Sequence, residues 1–321
     1  MTKSDRLEVL TRIEEAQVVL LVSHLNPDGD NIGSTAALYD DLIHRGKEVY
    51  WYGEDAVPDF LQFVPHVEKR GCVSQNSFDL AISLDCADLE RMGKGRDLYE
   101  SADLKINIDH HKTNTMFGDY NIVETLSSTC EVLYRFLGDQ SPMTPQRATA
   151  YFTGLSSDTG SFKYDATTEE TLLIAADLLR QGADLTTVSQ NLYMRRSLSK
   201  TRLWSQVLPQ IQFLSDNRVA YLQVSLAQIE QAEAEGHDTE GLVEFLRDTE
   251  GVEVAVLLKE RQSGVKLSLR TKSYADATRI AEPFGGGGHI RAAGATLATS
   301  LEEAKDLVLA SVEKELASCM D

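Results

Sequence analysis

The alternation of apolar and polar positions predicts short buried strands separated by helices in the first half of the chain. Four predominantly apolar runs, rich in β-branched and aromatic side chains, are typical of strands buried on both faces of a parallel sheet. These runs occupy residues 18–22, 49–52, 80–84 and 104–108. Helical patterns lie between them, so the order of elements favours an α/β fold with a parallel sheet.

Capping residues and a proline mark where helices begin in this half of the chain. Ser34 is expected to cap a helix that ends near residue 46. Residues 127–129, Ser-Ser-Thr, are expected to cap another helix, and Thr144-Pro145 to open a third. We predict helices over residues 1–17, 35–46, 131–137, 145–158 and 167–181.

The second half of the chain predicts a smaller α/β domain that follows a helical linker. Residues 185–214 contain no acidic side chain and have a helical pattern. After this segment, two strands surround the turn Gln262-Ser263-Gly264, and an amphipathic helix starts at Leu301. Strands are predicted over 218–224, 252–259 and 265–270, and helices over 239–249 and 274–281. The predicted division is a domain of residues 1–184, a linker of residues 185–214 and a second domain of residues 215–321.

Acidic and histidine residues follow the predicted strands. The loop after the first strand contains His24, Asp28 and Asp30, and Asp85 directly follows the third strand. Because the carboxyl ends of parallel strands meet at one edge of a sheet, these side chains are expected to face a ligand there. Carboxylate oxygens with an imidazole nitrogen suit Mn²⁺ or Mg²⁺. For this loop alone, an Asx-rich turn that caps the next helix is an equally good interpretation.

Two further groups of polar residues are placed in the same way. Asp109, His110 and His111 come directly after the fourth strand, where adjacent side chains can all turn toward one site. Taken alone this triplet is more often a surface feature, but its position beside Asp85 favours a site. Asp158 lies at the carboxyl end of a predicted helix, where the helix dipole disfavours an acid. That placement indicates a ligand role for Asp158.

A run of four glycines, residues 285–288, precedes His289 in the second domain. Without Cβ atoms, backbone N–H groups can approach an anion closely, as they do in phosphate-binding loops. A flexible linker is the alternative interpretation of such a run. The histidine and the small residues that follow it favour a packed loop, which makes the run a candidate phosphate-binding element.

Length and composition narrow the class of protein. A chain of 321 residues exceeds one ordinary core, which favours two domains, and 42% hydrophobic with 25% charged residues is typical of globular proteins. No apolar run approaches the ~20 residues of a membrane span. The amino terminus has no apolar signal core, and the four cysteines form no metal-type pair. These features predict reduced thiols and a cytoplasmic location without membrane attachment.

The formal net charge of −19 argues against binding to long nucleic acid. It is compatible with a small anionic substrate held in a local basic pocket. Two segments without acidic residues, 185–215 and 261–275, supply basic side chains, although each alone is more often a solvated face. Their basic residues are Arg195, Arg196, Lys200 and Arg202 in the first segment, and Arg261, Lys266, Arg270 and Lys272 in the second.

Together these motifs resemble the DHH phosphoesterase superfamily, in particular its standalone two-domain branch of oligoribonuclease/pAp phosphatases, or nanoRNases (pAp is adenosine 3′,5′-bisphosphate). The resemblance spans nearly the whole chain in the family's order. Family II pyrophosphatases differ in their second domain and in a basic signature that this chain lacks. One departure is the fourth glycine, since the family usually has three before the histidine. The matching motifs are residues 24–30 with Gly33-Ser34, Asp85, residues 109–111, residues 158–160, residues 268–270, and residues 286–289 with Ala293-Gly294.

The resemblance implies a two-metal site, usually with Mn²⁺ and with Mg²⁺ or Co²⁺ as other options. Asp85 would be the carboxylate that bridges the two ions. The implied ligands are His24, Asp28 and Asp85 for one ion, and Asp30, Asp85, His110 and Asp158 for the other.

The resemblance also implies catalytic and substrate-binding roles. Asp85 would act with His111 and Asp109: His111 would face the scissile phosphate as proton donor or charge stabiliser, and Asp109 would orient the neighbouring imidazoles. Residues of the second domain would reach the substrate across an interdomain cleft. These substrate-binding residues are Arg270, Gly286, Gly287, Gly288 and His289.

The implied function is hydrolysis of very short oligoribonucleotides to mononucleotides, and of pAp to AMP and phosphate. An alternative is a phosphodiesterase for c-di-AMP or its linear product pApA, because the motifs do not separate these substrates. A non-enzymatic nucleotide-binding protein would need a degenerate metal site, and the intact ligands argue against it. A processive RecJ-type exonuclease is disfavoured because 321 residues leave no room for its additional nucleic-acid domains. The expected partners are short RNA, pAp or dinucleotides, not long duplexes, and a homodimer is left open.

Overall fold

The computed structural model describes residues 3–138 and 140–319, and it divides the chain into two compact units. The first unit is Met1–Arg195 and the second is Arg196–Asp321. The division falls within the segment 185–214 that the sequence assigns to a linker, while the individual domain limits stay a prediction. The predicted fold class is confirmed, because one unit contains a parallel six-stranded sheet and the other a second sheet.

The first unit alternates strands and helices along the chain. Its helices are α1 (Lys3–Glu15), α2 (Gly29–His44), α3 (Gly95–Ser101), α4 (Thr129–Leu137), α5 (Pro145–Asp158), α6 (Glu169–Arg180) and α7 (Leu185–Ser189), followed by a π-helical turn at Gln190–Met194. Its strands are β1 (Val18–Val22), β2 (Glu48–Tyr52), β3 (Arg70–Gly71), β4 (Leu80–Leu84), β5 (Leu104–Asp109) and β6 (Tyr120–Val123). The four predicted strands are present; β3, β6 and α3 were not predicted.

The order of strands places the ends of β1 and β4 side by side. The sheet runs β3-β2-β1-β4-β5-β6, and all of its neighbouring strands are parallel. The chain builds outward from β1 to one side and then crosses to β4 on the other. In such open sheets the ligand crevice lies beyond the carboxyl ends of the strands at this switch point. His24 follows β1 and Asp85 follows β4, so both are at that crevice.

Both faces of the parallel sheet are buried, which explains the continuous apolar runs. Successive side chains of a strand point to opposite faces. Val19 and Leu21 pack into a core shared with residues of α1, α2, α4 and α5. Leu20 and Val22 pack on the opposite face, in a cluster that includes Tyr99 of α3. A rigid two-sided layer therefore supports the loops at the strand ends.

The helix after β1 begins earlier than predicted. It starts at Gly29 with Asp28 as its N-cap, and the Asp28 carboxylate accepts hydrogen bonds from the N–H groups of Asp30 and Asn31. The prediction of Ser34 as the cap is therefore wrong: its hydroxyl donates back to the Asp30 carbonyl inside the helix. Gly33 is a packing residue, because a Cβ there would lie 2.6 Å from a backbone oxygen of α5.

The second unit is a mixed sheet with helices on both faces. Its helices are α8 (Leu198–Val207), α9 (Leu226–Gln231), α10 (Leu242–Arg247), α11 (Ala277–Ala281) and α12 (Leu301–Ser318). Its strands are β7 (Gln212–Leu214), β8 (Val219–Val224), β9 (Val254–Arg261), β10 (Gly264–Thr271), β11 (Gly287–His289) and β12 (Ala292–Leu297). The predicted helices 239–249 and 274–281 are shorter than expected, because residues 236–239 form a 3₁₀ turn and residues 272–276 form a loop.

The second sheet has the order β11-β12-β10-β9-β8-β7, with β8 and β9 parallel and the other pairs antiparallel. Val254 and Val256 face a core with α11 and α12, whereas Ala255 and Leu257 face a core with α8 and α10. The short strand β11 forms an edge of the sheet. No helix within residues 3–138 and 140–319 is both long and apolar enough to cross a membrane.

Candidate metal centre

The predicted ligands lie in or directly after five separate elements of the first unit. His24 follows β1, Asp28 and Asp30 lie at the beginning of α2, and Asp85 follows β4. His110 follows β5, and Asp158 is the last residue of α5. The structure brings the side chains of these residues together in three overlapping groups, each with its ligand atoms within 4.8 Å of one another. The groups are His24, Asp28 and Asp85; Asp30, His110 and Asp158; and Asp85, His110 and His111.

The first group is organised by a buried, neutral imidazole. The Nε2 atom of His24 lies 3.4 Å from Oδ2 of Asp85 and 3.9 Å from Oδ1 of Asp28. Its Nδ1 atom is 2.7 Å from the Leu25 carbonyl, which fits a protonated Nδ1 that donates to that oxygen. Burial lowers the pKa of His24 and so favours the neutral form. The unprotonated Nε2 therefore faces the two carboxylates, as a metal ligand must.

The second group surrounds His110. Its Nε2 atom lies 3.3 Å from Oδ2 of Asp158, 3.5 Å from Oδ1 of Asp85 and 4.0 Å from Oδ2 of Asp30. Asp85 thus faces His24 with one carboxylate oxygen and His110 with the other. A single carboxylate therefore lies between two groups of candidate ligands.

Asp85 has an unusual backbone and an unfavourable electrostatic environment without a cation. Its φ is 59°, in the left-handed region that Asp and Asn adopt more readily than other non-glycine residues. Burial, followed by repulsion from Asp30, Asp28 and Asp158, raises its pKa well above the usual value. Burial and neighbouring acids raise the pKa of Asp158 in the same way. Clustered carboxylates of this kind fit a cationic ligand, because a divalent ion removes the repulsion.

The amino terminus of α4 holds Asp30. The backbone N–H of Thr129 donates to Oδ2 of Asp30 at 2.6 Å, and that of Cys130 donates to Oδ1 at 2.9 Å. The Thr129 hydroxyl donates to Oδ1 of Asp85 at 3.0 Å. Burial still raises the pKa of Asp30. The first turn of α4 therefore orients two of the predicted ligands, Asp30 and Asp85, because the helix holds its N–H groups and the Thr129 hydroxyl in place.

Asp109 and His111 form a hydrogen-bonded pair beside this cluster. The Nδ1 atom of His111 donates to Oδ1 of Asp109 at 2.8 Å, and this bond, chiefly, raises the pKa of His111. Burial alone would raise the pKa of Asp109, but hydrogen bonds from His111 and Asn114 outweigh burial and lower it. The pair therefore fixes the orientation of the ring through Nδ1 and favours its protonated form, in which Nε2 is also a donor.

Sequence reasoning missed several residues of this site. Thr129 was predicted only as part of a capping sequence. Asn114 also donates to the Asn107 side chain and to a backbone carbonyl, and its position in a loop carried no recognisable signal. Arg91 brings its guanidinium to 3.2 Å from Nδ1 of His24. The capping sequence 127–129 was the one available signal, since an exposed helix amino terminus can also bind a carboxylate.

Two of the predicted substrate residues, Arg270 and His289, lie on one face of the sheet of the second unit. Arg270 of β10 and His289 of β11 are both cross-strand partners of Ala292 in β12. Cross-strand partners point to the same face of a sheet, so Arg270 and His289 share a face. Strand β12 lies between them, which separates the two residues by about 9–10 Å. The Arg270 guanidinium forms an ion pair of 2.9 Å with Glu244 of α10. The role of both residues in substrate binding stays a prediction.

The glycine run forms part of a β-hairpin. Gly287 and Gly288 belong to β11, and Gly288 has a φ of 147°. A Cβ on Gly288 would lie 2.3 Å from the Ala292 carbonyl oxygen, so the position requires glycine. The Gly286 N–H donates to the Ala281 carbonyl and is therefore not free for an anion. Gly287 and Gly288 stay predicted substrate contacts.

Two family profiles match the chain. Residues 18–155 match the DHH family, N-terminal domain, and residues 216–318 match the DHHA1 domain. The first match contains the candidate metal centre except Asp158, and the second contains Arg270 and the glycine run.

Curated relatives match over nearly the full chain. The bifunctional oligoribonuclease and PAP phosphatase NrnA of Thermus thermophilus is 36% identical over 96% of this chain and 93% of its own length. The protein of the same name from Bacillus subtilis is 26% identical over 96% of this chain and 97% of its own length. The cyclic-di-AMP phosphodiesterase PdeA of Listeria monocytogenes is 24% identical over 96% of this chain, but over 48% of its own length.

Solved structures share the fold. An exopolyphosphatase-related protein from Bacteroides fragilis has a TM-score of 0.90 at 27% identity, and the match covers 100% of both chains. An exonuclease RecJ bound to manganese has a TM-score of 0.51 at 17% identity, covering 96% of this chain and 94% of that one. At that identity the RecJ likeness concerns the fold alone.

Proposed function

Since the chain belongs to the DHH family, as a relative of the bifunctional oligoribonuclease and PAP phosphatases, we propose that it is a two-metal phosphoesterase. Its substrates are very short oligoribonucleotides, which it cleaves to mononucleotides, and pAp, which it converts to AMP and phosphate. The curated names of the 36% and 26% identical relatives support this substrate class.

The observation that carries the proposal is the position of Asp85. Its Oδ2 is 3.4 Å from His24 and its Oδ1 is 3.5 Å from His110, so one carboxylate serves two ligand sets. The donors are carboxylates and imidazoles, a set that suits Mn²⁺. We assign His24, Asp28 and Asp85 to one ion, and Asp30, Asp85, His110 and Asp158 to the other.

The proposed chemistry divides between the ions and the chain. When bound, divalent ions lower the pKa of a water to give a nucleophile, and they stabilise charge on the attacking and leaving oxygens. The chain contributes the orientation of the ligands. The Leu25 carbonyl fixes the tautomer of His24, and the first turn of α4 fixes Asp30 and Asp85.

His111 is the group we assign to the reacting phosphate. Its Nδ1 is committed to Asp109, so Nε2 of the protonated ring is free to donate to a phosphate or leaving oxygen. A leaving alkoxide needs such a proton or a compensating charge. Asn114 holds Asp109 from the other side with a hydrogen bond of 2.6 Å. Asp109 is therefore a positioning residue for His111.

The alternative substrate class is cyclic or linear dinucleotides such as c-di-AMP and pApA. The match to PdeA favours this alternative less, because the identity is 24% and the match covers 48% of that protein.

We propose that Arg270, Gly287, Gly288 and His289 of the second unit contact the nucleotide. Arg270 and His289 share one face of the sheet of that unit.

A product time course on a matched panel tests the proposal. The panel contains an RNA dinucleotide, a pentanucleotide, a 24-mer, pAp, pApA and c-di-AMP, each with Mn²⁺ and each repeated after chelation. We expect mononucleotides from the short RNAs and AMP from pAp, both dependent on the metal. Rapid turnover of c-di-AMP with little activity on pAp would overturn the substrate assignment. Activity that survives complete chelation would overturn the two-metal assignment.

A further inference from the structure

The tip of the glycine hairpin is clamped by an arginine that sequence analysis did not single out. Ile290 and Arg291 form the turn between β11 and β12, directly after His289. The Arg291 guanidinium reaches back across the turn, donating from Nη1 to the Ala275 carbonyl at 2.8 Å and from Nη2 to the Ser273 carbonyl. Its two arms thus bridge the hairpin to the loop of residues 272–276, which we call the anchor loop.

Hydrogen bonds to the carbonyls of the same hairpin tip come from the end of β10 and the start of α11. The Thr271 N–H donates to the Arg291 carbonyl at 3.1 Å, and the Thr271 hydroxyl donates to the Ile290 carbonyl at 3.0 Å. The Ala277 N–H donates to the same Ile290 carbonyl at 2.8 Å. The tip is therefore held on both sides, although the strand β11 is short and lies at the edge of the sheet.

A buried carboxylate makes the anchor loop rigid. Glu253 is 4% exposed, and its oxygens accept hydrogen bonds from the N–H groups of Ser273, Tyr274 and Ala275 at 2.8–3.1 Å. The Ser273 hydroxyl adds another bond of 2.7 Å. The carbonyls that receive Arg291 belong to this same stretch of backbone. The chain of contacts thus runs from Glu253 through the anchor loop and Arg291 to the tip beside His289.

The contacts of Arg291 indicate a geometric role. Its guanidinium bonds to two backbone carbonyls, and no ion pair of Arg291 is present in the part of the chain that the structure describes. Arg270, by contrast, pairs with the Glu244 carboxylate. A planar guanidinium can span two fixed acceptors, whereas a lysine ammonium provides a single point of attachment. The two bonds of the guanidinium therefore fix both the distance and the angle between the hairpin tip and the anchor loop.

We propose that Arg291 is the positioning residue of the substrate hairpin: its guanidinium fixes the tip on the anchor loop and thereby orients His289 toward the nucleotide. This inference rests on the proposed function, in which the hairpin contacts substrate. A run of glycines has high conformational freedom, so a loose hairpin would have to lose that freedom each time substrate binds. The Arg291 clamp removes that cost before binding.

A double-mutant cycle between Arg291 and His289 tests the proposal. We measure kcat and KM on pAp and on an RNA dinucleotide for Arg291→Met, His289→Ala and the double variant. A displaced hairpin misplaces His289, so Arg291→Met is expected to lower kcat/KM by about 10- to 100-fold, mainly through KM. Because both substitutions remove the same interaction, the double variant is expected to be no worse than His289→Ala alone. Mn²⁺ binding by calorimetry should be unchanged.

Matched controls separate positioning from unspecific damage. Arg247→Met removes an arginine of the same unit that pairs with Asp248 on the surface, and it should leave kcat/KM unchanged. If Arg291→Met does not fold, Thr271→Val removes the hydroxyl bond to Ile290 from the other side of the tip. Thr271→Ser keeps that hydroxyl and should retain wild-type KM, whereas Thr271→Val should raise KM.

The outcomes distinguish the inference from the proposed function. If the losses of kcat/KM in the two single variants multiply in the double variant, Arg291 acts independently of His289. This result would mean that Arg291 contacts substrate by itself, and it would overturn the positioning role. Wild-type kinetics of Arg291→Met, or equal KM values for the two Thr271 variants, would also overturn it. If His289→Ala has no effect on either substrate, the failure lies with the proposed role of the hairpin in substrate binding.

Discussion

Thr129, in the first turn of α4, donates its hydroxyl hydrogen bond to Oδ1 of Asp85 over 3.0 Å. The contact joins two residues that are 44 positions apart in the chain. The backbone N–H of Thr129 simultaneously donates to Asp30. One threonine therefore orients a carboxylate of each predicted ligand set, which makes it the most informative position around the metal centre.

Thr129→Val is expected to weaken Mn²⁺ binding. Valine keeps the shape and the backbone N–H but removes the hydroxyl, so Asp85 loses the bond that orients it. Loss of an outer contact to a ligand typically costs about 10- to 100-fold in metal affinity or activity. Calorimetric titration with Mn²⁺ measures the effect. Thr129→Ser, which keeps the hydroxyl, is the matched control, and equal affinity of the two variants would contradict the orienting role.

Asp85→Asn is expected to separate metal binding from stability. Asparagine tolerates the left-handed backbone at φ 59° and is therefore a cleaner substitution than alanine. Turnover should fall by more than about 100-fold, since an outer contact alone is worth up to that much. In chelator, the variant should unfold at a higher temperature than wild type, because one of several mutually repelling carboxylates is neutralised.

Thermal unfolding with and without Mn²⁺ measures both effects of Asp85→Asn. The free energy of unfolding of the wild-type protein should increase by about 2.7 kcal/mol at a metal concentration of 100 Kd, whereas that of the variant should increase much less. Full occupancy by two ions in the variant would refute the bridging role. A lower unfolding temperature of the metal-free variant would contradict the electrostatic argument.

Glu253→Gln is expected to destabilise the second unit in a pH-dependent way. At pH 7 the glutamine amide would turn an N–H donor toward backbone N–H donors, at a cost of about 1–3 kcal/mol. Burial alone would raise the pKa of Glu253, but hydrogen bonds from Ala275, Ser273 and Tyr274 outweigh burial and lower it. A lowered folded-state pKa means that the stabilisation is fully present above the unfolded-state pKa, near 4.5, and disappears as the pH falls through the folded-state pKa.

Urea unfolding between pH 7 and pH 3 measures the difference in unfolding free energy between the wild-type protein and Glu253→Gln. Trp51 lies in the first unit and Trp204 in the second, so a Trp51→Phe background leaves Trp204 as the reporter. Glu250→Gln changes an exposed carboxylate of the same unit and serves as the control. The difference in unfolding free energy between wild type and Glu253→Gln should become smaller below about pH 4.5. A gap that is constant across this range would show that the charge of Glu253 contributes nothing.

Reaction rates are expected to fall steeply as the RNA substrate becomes longer. The net charge of −19 offers no general attraction for additional phosphates, so binding depends on a few specific contacts. A charge-assisted contact is worth ~1.5–3 kcal/mol, so a long strand that forfeits one such contact should lose about 10- to 150-fold. The measurement is kcat/KM per chain end for RNAs of two, three, five and 24 nucleotides. Equal values for the dinucleotide and the 24-mer would contradict this model of recognition.

The main elements and the candidate ligand residues were predictable because they depend on local chemistry. The apolar run Val18–Val22 is a buried strand because both faces of the parallel sheet are covered. His24, Asp85 and His110 follow strand ends, which a parallel sheet necessarily brings to one edge. The substrate assignment needed the resemblance to a family, since ligand types alone do not distinguish one phosphoester from another.

The start of α2 shows where local signals were insufficient. Gly33 and Ser34 suggested a helix boundary, but Asp28 outcompetes Ser34 as the cap because its carboxylate accepts two N–H groups. Gly33 is glycine because α2 and α5 pack closely there, a constraint set by a helix more than 100 residues later in the chain. Strand β6 was missed because it is short and lies at the sheet edge, where fewer apolar positions are required.

From the sequence alone, the residue types of the metal centre and their order along two α/β units were determined, because periodicity and strand-end chemistry are local properties. The tertiary structure alone decided which atoms meet. Thr129 lies beside Asp85, and Arg291 spans the carbonyls of Ser273 and Ala275, through contacts between residues far apart in the chain. Such contacts depend on how the packed layers bring distant loops together, and no local pattern of side chains encodes that arrangement.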